Sequence, residues 1–173
     1  TTRDDAWRRT DLRRMPAAGF HLPSMEIASH YQPVPETFLK PLASEKHGGQ
    51  IILLPDKAEI SLDPDLEKQG VIFTDLRTAE RYYPELVANL AGGIVRSQEG
   101  KFAALAAAFA SNGILLYVPK NVHIEQPLHS VLWGGGEYYA NISHLLIWVD
   151  EGASVTFVHE SASAQQVPNL HTG

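Results

Sequence analysis

Eight histidines and no cysteine set the terms for any chemistry this 173-residue chain could perform. Without thiols there is no disulfide framework and no thiolate-held metal or cluster in the segment. His123, His129, His144 and His159 fall in or near stretches that read as strands, at separations of 6, 15 and 15 residues. A histidine metal site needs nitrogens converging to about 2.0–2.1 Å from one ion. Those separations in extended chain do not impose convergence, so the four read as surface histidines, with His123 on an outward position. The adjacent Asp150 and Glu151 tend to point apart and read as turn chemistry, not as an acid–base pair. Gly134, Gly135 and Gly136 lack the following Lys-Ser/Thr and the helix of a phosphate loop, and read as a flexible connection. Trp133, Tyr138, Tyr139 and Trp148 read as packing residues more than as a contact surface. No catalytic residue and no metal ligand is assigned, and no cofactor-binding residue can be identified.

The formal net charge of −6 speaks against nucleic acid as a partner. The richest basic cluster, Arg8, Arg9, Arg13 and Arg14, is interleaved with Asp4, Asp5 and Asp11, the pattern of a solvated helix face. The longest apolar stretch, Phe102–Ala110, falls far short of the roughly 20 residues of a membrane span. The charged start, Arg3-Asp4-Asp5, is unlike a signal peptide. These features lead to the expectation of a cytoplasmic protein. The apolar fraction of 44% is enough to build a packed core.

The elements that would position these residues change character along the chain. Residues 4–15 read as a short amphipathic helix with Trp7, Leu12 and Met15 on one face, stopped by Pro16. Residues 16–50 are irregular, broken by four prolines and Gly48-Gly49. Ile51–Leu54 reads as a buried strand, Glu59–Leu62 alternates as a half-buried one, and Val71–Phe73 is a third. Thr74 or Asp75 caps a helix to about Leu90, with Pro84 giving either a kink or two short helices. A second helix opens at Ser97, with Phe102, Leu105, Ala106 and Phe109 on one face, and Asn112-Gly113 supplies a left-handed turn to end it. From Ile114 to Ser161 the chain reads as strands and tight turns, and residues 162–173 as a loop.

Two segments of this strand region match at an offset of 31 residues. Ile114–Val118 aligns with Leu145–Val149, Asn121 with Gly152 (both tolerant of positive φ), and Val122 and Ile124 with Ala153 and Val155. Strand, turn and strand make one coil of a β-solenoid, and stacked coils bury a continuous interior. At most two coils are present where about three are usually needed. The reading is therefore the first part of a longer protein, or one whose open end an interface covers. Open strand edges and apolar interior predict that the segment self-associates.

At these residues a resemblance emerges. Lys101-Phe102-Ala103-Ala104-Leu105, Ala107 through Gly113, Tyr117-Val118-Pro119-Lys120-Asn121-Val122 and Pro127-Leu128 together resemble the SufB/SufD family of iron–sulfur cluster assembly proteins. So do Val149-Asp150-Glu151-Gly152-Ala153 with Val155-Thr156, and Gly70-Val71-Ile72-Phe73 before a helix. Trp7-Arg8-Arg9-Thr10-Asp11-Leu12, the linker Trp133–Gly136 and Glu160-Ser161-Ala162 resemble the N-terminal part of the SufD branch more than SufB. The resemblance implies a fold class of α+β: an N-terminal helical and mixed region over 1–112, then the first coils of a right-handed parallel β-helix, a β-solenoid, over 113–173. It implies a non-catalytic scaffold subunit of the SUF system that pairs with SufB-like protein and the SufC-like ATPase. An iron–sulfur cluster, and a flavin, belong on this reading to the assembled complex and are not bound by this segment. The alternatives are the SufB paralogue, a solenoid acting on carbohydrate, which would need an acidic cleft, and a cupin-like metal protein built on the histidines.

Overall fold

The structure, a computed structural model, describes residues 19–23, 31–40, 46–110, 112–166 and 168–172. The helix expected over 4–15, with its Trp7–Leu12 motif and arginine cluster, lies outside these residues.

Along the described chain, α1 (Glu36–Leu39) precedes β1 (Gly49–Leu53) and β2 (Ala58–Leu62), and α2 (Pro64–Lys68) leads into β3 (Ile72–Asp75). Three helices follow, α3 (Leu76–Tyr82), α4 (Pro84–Leu90) and α5 (Lys101–Phe109). Then come β4 (Asn112–Val118), β5 (Leu128–Gly134), β6 (Tyr139–Val149), β7 (Phe157–Ser163) and β8 (Asn169–Thr172). Of the two readings of 75–90, a kinked helix or two short ones, the second holds: two helices break at Tyr83, with Pro84 opening the second. Its start is as expected: the Asp75 carboxylate accepts from the Thr78 amide at 3.1 Å.

The strands form two mixed four-stranded sheets, in the orders β2-β1-β5-β7 and β3-β4-β6-β8. This overturns the expected fold class, for the described residues do not form the opening coils of a parallel β-helix. The 31-residue offset does choose neighbours: Ile114 lies beside Leu145 and Val118 beside Val149 in parallel register. Asn121 and Gly152 both turn at positive φ, 61° and 72°. An offset between two stretches, however, is silent about the far edge of each strand. Such an edge carries a row of backbone groups that need partners, and strands from before residue 112 supply them. β1 lies parallel to β5 and antiparallel to β2, while β3 lies antiparallel to β4. Strands from both sides of residue 112 thus share both sheets.

The inner faces meet in a core of Ile51 and Leu53 from β1, Leu128 and Leu132 from β5, Phe73 from β3, and Ile114, Leu116 and Val118 from β4. Each such side chain contributes roughly 1.5–3 kcal/mol by leaving water. The outer face of the second sheet, at Leu115 and Leu146, is covered by Leu76 and Ala79 of α3 with α4 behind them. The outer face of the first sheet, at Ile52, Leu54 and Trp133, is covered by Tyr31, Val34 and Phe38.

Gly113 does not end a helix but lies in β4, where a Cβ would overlap the His144 backbone. Close strand approach is what requires glycine there. Gly136 is packed against the Tyr139 ring, and a Cβ on Gly135 would stand 2.5 Å from the Trp133 indole nitrogen. The glycine run is thus a close-packed corner and not a flexible connection. The stretch read as a loop at 162–173 contains β8, in parallel register with Tyr139–Ile142.

Candidate functional site

The polar groups that the fold brings together lie along β5. Its neighbours β1 and β7 cover both edges and other elements cover both faces, so all seven of its residues are buried. His129 is carried inside with them and is 0% exposed, contrary to its reading as a surface histidine. Its Nε2 stands 2.7 Å from Glu160 Oε2 and its Nδ1 3.1 Å from Gln50 Nε2. The same Gln50 nitrogen donates to the Leu39 carbonyl at 3.3 Å. An amide nitrogen has two hydrogens and accepts nothing. Nδ1 of His129 is therefore the acceptor, and its Nε2–H donates to Glu160. The His47 ring stacks on His129 at a centroid distance of 4.8 Å.

On the inner side of the same sheet, Ser130 bonds His159 Nδ1 at 2.8 Å, and Ser163 bonds His171 Nε2 at 2.8 Å. Burial pushes His47, His159 and His171 below the ordinary histidine range near 6.5. The neighbouring His129 adds to this at His47 and His159, and His171 adds to it at His159. Sequence reasoning missed this track. The signal was available in Leu128-His129-Ser130-Val131-Leu132-Trp133: a strand apolar on both faces, with His and Ser inside the run, is a strand that buries them.

The other singled-out residues are dispersed. His123 is exposed and bonds Ser154 at 2.8 Å, its register partner, as the aligned stretches require. His144 is half-buried on β6. Asp150 accepts from the Glu151 amide at 2.7 Å while Glu151 pairs with Lys120 at 2.6 Å, so these carboxylates part. Of the four aromatics, Trp133 and Tyr139 are buried and Tyr138 and Trp148 exposed. Among the described residues no group of three or more His, Asp or Glu is arranged to hold a metal ion, and the chain has no cysteine to offer a cluster. No helix among them is long and apolar enough to cross a membrane.

An uncovered apolar surface lies on β6. Leu145, Ile147 and Val149 share the inward face of Ile114, Leu116 and Val118, their register partners, yet they are 38%, 39% and 40% exposed. β8 pairs only with Tyr139–Ile142, so residues 143–149 have β4 on one edge and no described strand on the other. Beside them runs an open groove of about 780 Å³, lined by Leu90, Ile94, Val95, Arg96, Ala103 and Leu146 among others. Contiguous apolar surface next to a free strand edge is the ordinary mark of a protein–protein contact.

A family model described as the SufBD protein N-terminal region matches residues 1–129. The iron–sulfur cluster assembly protein SufD of Bacillus subtilis (strain 168) is 40% identical over 108 residues, 61% of this chain and 24% of that protein. An iron–sulfur cluster assembly SufBD family protein of Staphylococcus epidermidis is 35% identical over 113 residues, covering 65% of this chain and 24% of the relative. One from Staphylococcus aureus (strain USA300) is 34% identical over the same length and shares. The matched stretch thus spans about a quarter of the length of these relatives.

Proposed function

The chain belongs to the SufBD family, and from that premise we propose that it is a SufD-like scaffold subunit of iron–sulfur cluster assembly. It works by holding a SufB-like protein and a SufC-like ATPase, not by chemistry of its own. The cluster is the cargo of that assembly, and a flavin, like the cluster, belongs to the complex. The setting is the cytoplasm.

The observation that carries this reading is the open face of β6. Three aliphatic side chains in register with the core stand uncovered along a strand edge that no described strand pairs with. A partner strand there would gain main-chain hydrogen bonds from the edge and affinity from the buried side chains. The identity to a protein called SufD supports the SufD-like assignment over SufB. Without partners, the same surface draws copies of the chain together.

Co-expression of the intact protein with the SufB-like and SufC-like proteins of its own organism tests the proposal. The expected result is a ternary complex on anaerobic, reducing purification. It should weaken at least tenfold when Ile147→Asp places a charge on the open face. Failure of the native protein to bind either partner would overturn the scaffold reading. A native complex indifferent to Ile147→Asp would move the contact elsewhere.

A further inference from the structure

Away from β6, the first sheet ends in a strand edge whose sequence can pair with itself. β2 is the outermost strand of that sheet, with β1 on one edge and no described strand on the other. The β1–β2 ladder settles which backbone groups point outward. The Leu54 amide donates to the Lys57 carbonyl at 2.8 Å, and the Asp63 amide to the Gly48 carbonyl at 2.8 Å. In an antiparallel ladder, residues bonded to the neighbour alternate with residues that are not. Lys57, Glu59, Ser61 and Asp63 therefore turn their backbone groups toward β1, and Ala58, Ile60 and Leu62 turn theirs outward. That outward row has no main-chain partner among the described residues. Ile60 is 42% exposed, although its register partner Ile51 is 0% exposed.

We propose that β2 is a dimer edge: two copies of the chain pair antiparallel through β2, about a two-fold axis at Ile60, so that the first sheet of one copy continues into that of the other. The run Lys57-Ala58-Glu59-Ile60-Ser61-Leu62-Asp63 is complementary to its own reverse. With Ile60 on the axis, Ala58 faces Leu62, small against large, and Glu59 faces the Ser61 hydroxyl. Lys57 faces Asp63, and opposite charges placed directly across a strand pair stabilise it. The outward row supplies both main-chain hydrogen bonds at the Ile60 pair and at each Ala58–Leu62 pair. Lys57 and Asp63 fall at a position without such bonds, where facing side chains come closest.

The register is set by what its rivals would lose. A shift of two residues keeps the hydrogen-bonding groups facing each other. In one direction it puts Ile60 against Asp56, and in the other against Pro64, which has no N–H to give. The charges choose the occupant. Exposed charged side chains on an edge ordinarily turn foreign strands away, and Lys57 and Glu59, paired at 2.7 Å, line this one. The reversed copy answers Lys57 with Asp63. One Asp63 oxygen accepts from the Asp65 amide at 2.9 Å to open α2, and its other oxygen is left for the lysine of the second copy. Ala58, Ile60 and Leu62 share the inner face with their register partners Leu53, Ile51 and Gly49. Pairing doubles this apolar row and covers Ile60. The edge is separate from the open face of β6, which lies in the other sheet.

The test is sedimentation of the intact protein carrying Ile147→Asp, which removes association through β6, over a hundredfold range of concentration. A monomer–dimer equilibrium is expected. Ile60→Pro should raise its dissociation constant at least tenfold. The N–H that proline removes points away from β1, so the β1–β2 ladder keeps its bonds. Cysteine cross-linking reads the register and keeps the test decisive if the proline variant does not fold. Facing Ile60 residues have Cα atoms about 5.5 Å apart, within reach of a disulfide. Under mild oxidation Ile60→Cys should link two copies at least tenfold faster than Ser61→Cys, because Ser61 faces Glu59 and not itself. Mass spectrometry should find position 60 joined to position 60. A protein that is monomeric throughout, a dimer indifferent to Ile60→Pro, or cross-linking at 60 no faster than at 61 would overturn the proposal. So would capture of position 60 by a different protein in place of a second copy.

Discussion

β4 and β6 carry nearly the same residues on the same face, and one is sealed while the other is open. Ile114, Leu116 and Val118 are 0% exposed; their register partners Leu145, Ile147 and Val149 are more than a third exposed. The difference lies in the neighbours. β4 has β3 on one edge, β6 on the other, and the β1–β5 side chains across the core. β6 beyond Ile142 has only β4 among the described strands. Similar sequence is therefore covered unequally: β4 is sealed along its length, while the inward side chains of β6 beyond Ile142 stay uncovered among the described residues.

The largest effect that could break this comparison is on stability. Leu116→Ala should cost about 2–5 kcal/mol in chemical denaturation, the range for a buried leucine. Ile147→Ala on β6 should stay within about 0.5 kcal/mol, as surface substitutions do. Equal losses would mean that β6 is already covered. Next in size is Trp133→Phe. It removes the donor of the Gln32 carbonyl and should cost roughly 0.5–1.5 kcal/mol, with the loss confined to the covering segment in hydrogen exchange.

A third effect follows from the lowered histidines. His47, His159 and His171 bind protons more readily unfolded than folded. Their contribution is fully present above the unfolded value near 6.5 and is lost as pH falls through it toward the lower folded values. The denaturation midpoint should therefore drop between pH 7.5 and 5.5. His171→Asn should reduce that drop, while substitutions on β6 should leave it unchanged. The smallest effect expected is from Asp75→Ala, about 1 kcal/mol from loss of the cap on α3, felt on the outer face of the second sheet.

How much of this was legible in the sequence differs between the same two strands. The matched stretches 114–118 and 145–149 gave the parallel register, and Asn121 and Gly152 the turns, because side-chain period and φ preference are local properties. The sheets themselves were not legible. Nothing in Ile51–Leu54 or Val71–Phe73 states that they pair with β5 and β4, since strand pairing across 40 to 80 residues is decided by which edges remain unsatisfied. For the same reason the parallel β-helix expected from the repeat gave way to two mixed sheets. His129 was misjudged because surface or core was assigned from residue type, whereas His123 is exposed as its aligned position implied. Burial of His129 comes from strands on both sides of β5 and from residues 31–40 above it. The open face of β6 could be anticipated, as the end of a repeat with nothing yet stacked on it.

The most direct test of the account is hydrogen–deuterium exchange of the β4 and β6 amides, in the intact protein alone and with its SufB-like and SufC-like partners. Alone, the amides of β4 should be strongly protected and those of residues 143–149 that face the free edge should exchange at least tenfold faster. In the complex the β6 amides should slow toward the β4 level. Fast exchange at 143–149 that persists in a formed complex, or protection equal to β4 before any partner is added, would contradict the claim that this strand is the docking edge.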